Sequence, residues 1–135
     1  MSGNLIDMLI AHEGLELFPY KCSAGKYTIG VGRNIEDIGI TREEAVTLLH
    51  NDITRVKSEL KQFPWFTQLN QVRQDALIDM CFNLGLPRFC TFKRMIAALE
   101  EHNYYKASNE MISSRWADQV GSRAVDLADM IRTGK

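Results

Sequence analysis

Residues 5–32 read LIDMLIAHEGLELFPYKCSAGKYTIGVG, and a change of pattern within this stretch decides the fold. Up to Glu13, apolar residues recur at three- and four-residue spacing, which predicts a helix, and Gly14 is a residue type at which helices commonly stop. From residue 17 to 32, aromatic and β-branched residues surround Ser23-Ala24-Gly25, which predicts a β-hairpin with its turn at the glycine. We therefore expect a first helix that leads directly into a small hairpin.

The rest of the chain has the spacing of helices. Thr41 and Glu44 stand as in a capping box, and apolar positions along one face then predict a helix of about twenty residues before Pro64. The next helix is predicted to stop at Gly85-Leu86-Pro87. The helices predicted after Pro64 cover residues 70–84, 91–102, 104–113 and 122–132.

Composition and charge indicate one globular domain. The chain has 135 residues, of which 45% are hydrophobic and 24% charged, so it can bury a core and is short for two domains. The predicted class is α+β and mainly helical, with a hairpin lobe at about 14–40 and a helical lobe at about 65–135 of a single domain, 1–135. The net charge of −1 predicts no nucleic-acid partner and no long-range attraction to an anionic membrane.

Apolar stretches, cysteines and histidines limit the expected location and cofactors. The apolar stretch 5–11 is too short to span a bilayer and lacks the features of a signal peptide. We therefore expect that the protein is synthesised in a cytoplasm and does not insert into a membrane. Cys22, Cys81 and Cys90 form no CxxC pair and leave at least one thiol free, which suits a reducing compartment. The three histidines show no zinc spacing, so no metal site is predicted.

Glu13 is the first candidate for catalysis. It stands at the predicted C-terminal end of a helix, where the helix dipole disfavours a negative charge and so favours the protonated carboxyl. A general acid that works near neutral pH must hold its proton in this way. By position alone a solvated glutamate is the ordinary interpretation, so the assignment needs support from the residues that follow.

Cys22 and Thr28 supply that support by their spacing. Eight residues separate Glu13 from Cys22 and five separate Cys22 from Thr28, which places a thiol and a hydroxyl on neighbouring hairpin strands. One acid and a second group that holds a water are the minimum for inverting glycoside hydrolysis. The charge of Lys21, Lys26 or a nearby arginine can lower the pKa of the Cys22 thiol and so favour a thiolate base. Without this spacing, a small packed side chain and a strand-forming threonine are the ordinary interpretations.

Further motifs follow one another in a recognisable order. They are His12-Glu13-Gly14-Leu15, Tyr20-Lys21, Tyr27 to Gly32, ITREEA at 40–45, ALIDMCFNLG at 76–85, and Ser114-Arg115-Trp116 followed by Arg123-Ala124. In order and spacing these motifs resemble the phage-type lysozymes, the endolysin muramidases of glycoside hydrolase family 24. The resemblance covers nearly the whole chain and implies the lysozyme-like α+β fold.

The resemblance implies hydrolysis of the β-1,4 bond between N-acetylmuramic acid and N-acetylglucosamine in peptidoglycan, without a cofactor. It implies that Glu13 is the acid and that Cys22 and Thr28 hold or activate water. The family often has Asp at the position of Cys22 and accepts Cys as an alternative. Whether Cys22 is a thiolate base, a nucleophile or a water-positioning group stays open, as does the inverting or retaining outcome.

Four further residues are expected to contact the substrate. Gly30 lets a sugar approach the strand. The resemblance places Phe82 and Asn83 beside the cleft, where a ring and an amide suit sugar recognition. It also brings Arg123 towards the catalytic carboxyl, although a lone arginine is more often a solvated surface charge. Trp116 is predicted to belong to the core of the helical lobe.

Two other functions agree with parts of the sequence. A hydrolase that pairs Cys22 with His12 would need a local protease signature, which the sequence lacks. An inactive peptidoglycan-binding or phage structural module would keep the fold without needing Glu13, Cys22 and Thr28 at this spacing. His12 stands where well-known members have an acidic residue, and the segment before Thr41 is short, so we expect a compact hairpin lobe.

The resemblance also implies how the protein reaches its substrate. We expect a monomer of phage or prophage origin that is synthesised in the host cytoplasm. By analogy with the family, a holin then opens the membrane, and the protein acts on the cell wall from the periplasm and causes lysis.

Overall fold

A computed structural model of the chain describes residues 2–135. It contains two compact units, of which the first extends to Thr47 and the second runs from Leu48 to Lys135. The boundary falls within α2 (Arg42–Leu60), a single helix that contributes residues to both units. The predicted hairpin lobe lies inside the first unit, and the predicted helical lobe lies inside the second.

The first unit contains a helix and a small antiparallel sheet. α1 (Ser2–Glu13) is followed by β1 (Glu16–Lys21), β2 (Tyr27–Gly30) and β3 (Arg33–Asn34), which pair in the order β1-β2-β3. The predicted helix end at Glu13 and the predicted hairpin are therefore confirmed. β3 was not predicted, because two residues are too few to show an alternating pattern.

The hairpin turn holds Cys22 beside β2. Cys22 N donates to Lys26 O at 2.9 Å, and Gly25 N donates to Cys22 O at 2.8 Å, which closes the loop between the strands. Gly25 has a φ of 77°, a left-handed conformation that glycine adopts at little cost. The strand register pairs Tyr20 with Thr28, so Thr28 lies in the middle strand of the sheet.

α2 begins at the capping box that the sequence predicted. Thr41 N donates to Glu44 Oε1 at 2.9 Å, and Glu44 N donates to Thr41 Oγ1 at 3.1 Å. Arg33 Nη2 lies 2.9 Å from Glu44 Oε2, which ties β3 to the start of this helix. The helix has 19 residues, close to the predicted length, and its second half buries Val56 and Leu60 in the second unit.

The second unit is helical after α2. Its elements are a 3₁₀ turn at Phe66–Gln68, then α3 (Gln71–Leu84), α4 (Leu86–Phe89), α5 (Lys93–Glu100), α6 (Tyr104–Ile112), α7 (Arg115–Val120) and α8 (Ser122–Thr133). The four helices predicted after Pro64 are confirmed as α3, α5, α6 and α8, with ends that differ by one or two residues.

Two short helices of the second unit were not predicted. Gly85, at a φ of 81°, ends α3 as expected, but Pro87 then lies in the first turn of α4. Proline fits there because that turn leaves its N–H groups unbonded within the helix. α7 is capped by Ser114, whose Oγ accepts from Ala117 N at 3.2 Å, and its six residues are too few to show a helical period.

The core of the second unit is formed by the second half of α2, the 3₁₀ turn and α3 to α8. Trp116 is 2% exposed and belongs to this core, as predicted. Its largest fully buried side chains are Leu60, Phe66, Leu77, Met80, Phe89, Met95, Leu99, Met111 and Ile131. Burial of these apolar side chains makes the main favourable contribution to the folding free energy of the second unit.

The elements confirm the predicted α+β class, with eight helices and one small sheet over residues 2–135. Over this same range, every helix is either too short or too polar to cross a bilayer. The three residues predicted to be catalytic lie at the end of α1, in the hairpin turn just after β1, and in β2.

Candidate active site

Glu13 is the last residue of α1, and its carboxyl lies against the main chain just after β2. The chain turns at Gly14, whose N donates to Ile10 O at 2.7 Å. A Cβ placed on Gly32 would lie 2.5 Å from Glu13 Oε2 and 2.9 Å from its Cδ. The carboxyl therefore occupies the space that a side chain at position 32 would need. Glu13 is otherwise exposed, so its carboxyl is accessible to a substrate.

Cys22 is the first residue after β1, and the turn surrounds its sulfur with hydrogen-bond donors. The backbone amides of Lys26 and Ala24, and then the Thr28 hydroxyl, bond to the sulfur and lower the pKa of the thiol below its usual range. Lys26, one of the cations expected to lower this pKa, forms an ion pair in which its Nζ lies 3.3 Å from Asp37 Oδ1. The main chain of the turn, rather than a lysine ammonium, favours the thiolate.

Thr28 lies in the middle strand and is 3% exposed. It pairs with Tyr20 on β1 and with Asn34 on β3. Its Oγ1 donates to Lys26 O at 3.0 Å, and this hydroxyl is one of the groups that lower the pKa of the Cys22 thiol. The structure therefore places Thr28 on a hairpin strand, as predicted, but places Cys22 in the turn just after β1 rather than on the neighbouring strand.

The first unit thus holds a carboxyl at a helix end and a thiol beside a hydroxyl at a hairpin turn. A protonated carboxyl can give a proton to a leaving group, and a thiolate can accept one from water. Among residues 2–135, no three His, Cys, Asp or Glu side chains are grouped so that they could hold a metal ion. The carboxyl and the thiol–hydroxyl pair are groups that can carry out acid–base hydrolysis.

Gly30 ends β2 and leaves its surroundings open. Its φ is 71°, and a Cβ placed there would meet no atom within 4 Å. Gly32, two residues on, differs because its missing side chain makes room for Glu13. The open space at Gly30 is compatible with the predicted approach of a sugar to the strand.

In the second unit, Phe82 and Asn83 lie near the end of α3 and differ in what their side chains contact. The ring of Phe82 is 43% exposed, as a ring that stacks on a sugar must be. Asn83 Oδ1 accepts from Trp116 Nε1 at 2.8 Å, which satisfies the indole of the buried tryptophan. Asn83 therefore has a structural contact that the sequence did not reveal.

Arg123, in the first turn of α8, forms an ion pair with Asp79 of α3. Both Nε and Nη2 of Arg123 approach Asp79 Oδ1, at 2.8 Å and 2.7 Å, and Nη2 lies 3.4 Å from Asp79 O. The guanidinium is therefore fixed along one edge, while its Nη1 edge has no hydrogen bond to the described residues. Within the second unit, the partner of Arg123 is therefore Asp79, so Arg123 is not a lone solvated charge.

Phe82, Asp79 and Arg123 line an open cavity of about 370 Å³ in the second unit. Its other walls are Leu49, Ile53, Asp75 and Ile78. The lining is mainly apolar, with two carboxylates and one guanidinium, so its formal charge is −1.

Gly32 and Asp79 are the two residues of the site that sequence analysis did not single out. Both lie inside motifs quoted above. Gly32 has no side chain to attract notice, and the partner of Asp79 is 44 residues away in the sequence, so neither contact leaves a local pattern. Only the folded chain shows what each one touches.

Comparisons with known proteins agree with these observations. The family model described as phage lysozyme matches residues 10–130. Probable T4-type lysozyme 1 of Dictyostelium discoideum is 29% identical over 99% of this chain and 96% of its own length. An endolysin of Acyrthosiphon pisum secondary endosymbiont phage 1 is 33% identical over 90% of this chain and 83% of its own length. The pre-baseplate central spike protein Gp5 of Enterobacteria phage T4 is 29% identical over 97% of this chain, which matches 28% of that protein.

Proposed function

Because the chain belongs to the phage lysozyme family and is a peptidoglycan-directed hydrolase, we propose that it cleaves one particular bond with Glu13 as its acid. That bond is the β-1,4 linkage between N-acetylmuramic acid and N-acetylglucosamine. The observation that carries this proposal is the arrangement of Glu13, Cys22 and Thr28 in the first unit. A carboxyl and a thiol–hydroxyl pair in the same unit offer the two kinds of group that the proton transfers of glycoside hydrolysis need.

Glu13 donates its proton to the glycosidic oxygen as the bond to the anomeric carbon breaks. Water then adds to that carbon and gives up a proton. Thr28 and Cys22 hold this water, and the lowered pKa of Cys22 makes its thiolate available to accept the proton. A water-positioning role for Cys22 uses the same contacts but leaves the proton to another acceptor.

Four residues supply the substrate contacts in this proposal. Gly30 leaves room for a sugar ring at the strand, and the exposed face of Phe82 stacks on a sugar. The amide nitrogen of Asn83 and the Nη1 edge of Arg123 donate hydrogen bonds to glycan oxygens. For Asn83 and Arg123, these donors are the groups that are not used in the contacts with Trp116 and Asp79.

The proposal is tested by the ends that appear in purified peptidoglycan. We expect the wild-type protein to release new reducing ends, and Glu13→Gln to release almost none while it stays folded by circular dichroism. Reduction of the products followed by mass spectrometry identifies the sugar at each new end. Muramic acid ends support the proposed bond, and glucosamine ends would assign the enzyme to the other linkage of the strand.

We also propose that the protein acts as an endolysin and causes host lysis after a holin opens the membrane. The endolysin relative, matched over most of its length, supports this proposal. Expression inside a bacterium should leave cells intact until a holin is co-expressed, after which the culture should clear. Clearing that occurs equally without a holin would contradict the proposed route.

A second candidate function is that of a lysozyme domain carried in the virion. The match to the spike protein Gp5, whose chain is much longer than the matched region, favours it. This role predicts that the protein is found in purified phage particles. An endolysin is instead left in the lysate, and an immunoblot of banded particles distinguishes the two.

A further inference from the structure

Gly32 differs from the other glycines near the candidate site in what surrounds it. It has a φ of 65°, and a Cβ added to it would lie 2.5 Å from Oε2, 2.9 Å from Cδ and 3.2 Å from Cγ of Glu13. Gly14, Gly25 and Gly30 also have positive φ, yet a Cβ at any of them would meet nothing within 4 Å. The positive φ favours glycine at all four positions. At Gly32 the close approach of a carboxyl is a second reason for glycine.

We propose that Gly32 is a positioning residue for the catalytic acid. Its lack of a side chain lets the carboxyl of Glu13 lie directly against the main chain after β2, which sets where the acidic proton is presented. This inference rests on the proposed function of Glu13. It adds that position 32 controls the location of that group without touching the substrate itself.

The clash that a side chain would cause can be relieved in a specific way. The atoms in the way are the far end of a flexible side chain, and Glu13 is exposed, so the carboxyl can rotate aside. To reach an ordinary contact distance it must move by roughly 1 Å, a displacement that can cost on the order of 100-fold in rate when it affects a reacting group. Gly32→Ala should therefore fold and lose turnover.

Gly39 provides a matched control. Its φ of 67° is close to that of Gly32, but a Cβ there would meet nothing within 4 Å. Its carbonyl accepts from Arg33 Nη1 at 3.1 Å, a main-chain contact that alanine preserves. Gly39→Ala thus introduces the same unfavourable backbone conformation in the same unit, away from the carboxyl of Glu13.

The kinetic test compares the two alanine variants on soluble peptidoglycan fragments. We expect Gly32→Ala to lower kcat about 100-fold with KM nearly unchanged, and Gly39→Ala to keep the wild-type kcat. Equal loss in both variants would assign the effect to backbone strain and overturn the proposal. Wild-type kcat in Gly32→Ala would overturn it as well.

A spectroscopic readout separates this proposal from the assignment of Glu13 as the acid. The ¹³C chemical shift of the Glu13 carboxyl, identified by its absence in Glu13→Gln, should change in Gly32→Ala and stay the same in Gly39→Ala. If the wild-type protein released no reducing ends, the proposed function would fail, yet this measurement would still test the contact. An unchanged carboxyl signal in folded Gly32→Ala would overturn the positioning role.

A second variant covers the case in which Gly32→Ala does not fold. Glu13→Ala removes the carboxyl, so the same glycine substitution in that background should fold and melt at the temperature of Glu13→Ala combined with Gly39→Ala. Recovery of folding in the double variant supports the contact between Glu13 and position 32. Failure of the double variant to fold would show that the glycine serves the backbone alone.

Discussion

Arg123 and Asp79 form a bridge between α8 and α3, with Nε and Nη2 of the arginine at 2.8 Å and 2.7 Å from the same carboxylate oxygen. Their side chains are 40% and 45% exposed, so solvent weakens the attraction between the charges. The geometric consequence is larger than the energetic one, because the carboxylate fixes the plane of the guanidinium. We therefore expect Asp79 to influence binding through Arg123.

Asp79→Ala should raise KM several-fold and lower stability by no more than about 1 kcal/mol, the size expected for an exposed ion pair. Asp79→Asn keeps an oxygen that can accept from Arg123, so its KM should lie between those of the wild type and the alanine variant. Initial rates and urea unfolding of the variants measure both effects. If Asp79→Ala raises KM even when Arg123 is already alanine, the influence does not pass through the arginine.

The hydrogen bond from Trp116 to Asn83 predicts a stability effect. Asn83→Ala leaves the buried Nε1 without its 2.8 Å acceptor, which should cost about 1–3 kcal/mol of unfolding free energy. Asn83→Asp retains an acceptor at the same place and is the matched control. Chemical unfolding followed by tryptophan fluorescence measures the difference. Equal loss in the two variants would show that the amide group, rather than acceptance from the indole, is what matters.

The lowered pKa of Cys22 predicts how activity depends on pH. If the thiolate is the base, activity falls as the pH drops through the pKa of Cys22, because the protonated thiol accepts no proton. Cys22→Asp should keep activity and extend it to lower pH, since a carboxyl ionises near pH ~3.9. Cys22→Ala should lose most activity at every pH. Full activity in the alanine variant would remove Cys22 from the mechanism.

Alkylation distinguishes the thiols of Cys22 and Cys81. Burial raises the pKa of Cys81 to about 11, whereas the amides of the hairpin turn lower the pKa of Cys22. Near neutral pH, iodoacetamide should modify Cys22 well before Cys81, because the thiolate is the reactive form. Peptide mapping by mass spectrometry follows each site. Modification of both at the same rate in the folded protein would contradict the assigned environments.

Thr28 has a hydroxyl that serves Cys22, so its removal should have two linked effects. Thr28→Ala should reduce turnover and raise the pKa of Cys22, because one hydrogen bond to the sulfur is lost. Thr28→Ser keeps the hydroxyl and should retain much of the activity. The pH dependence of alkylation reports the thiol, and reducing-end release reports turnover. A change in stability with unchanged turnover would leave Thr28 a structural residue.

Local patterns of the sequence were sufficient for most secondary structure. The helix end at Glu13, the turn at Gly25 and the capping box at Thr41 each depend on residues within a few positions of one another, so spacing alone reveals them. α4 was missed because a proline such as Pro87 is typical both of the residues after a helix and of the first turn of a new one. β3 and α7 were missed because short elements show no period.

The sequence by itself determined the class of the fold, the family resemblance and the order of the candidate catalytic residues. Tertiary structure alone decided that the Glu13 carboxyl lies against Gly32, that main-chain amides act on Cys22, and that Asp79 holds Arg123. The physical reason is that periodicity and capping act between near neighbours in the chain. The three contacts depend instead on where the folded backbone directs each group. They are the approach of the Glu13 carboxyl to Gly32, the amides that point at Cys22, and the ion pair between residues 44 positions apart.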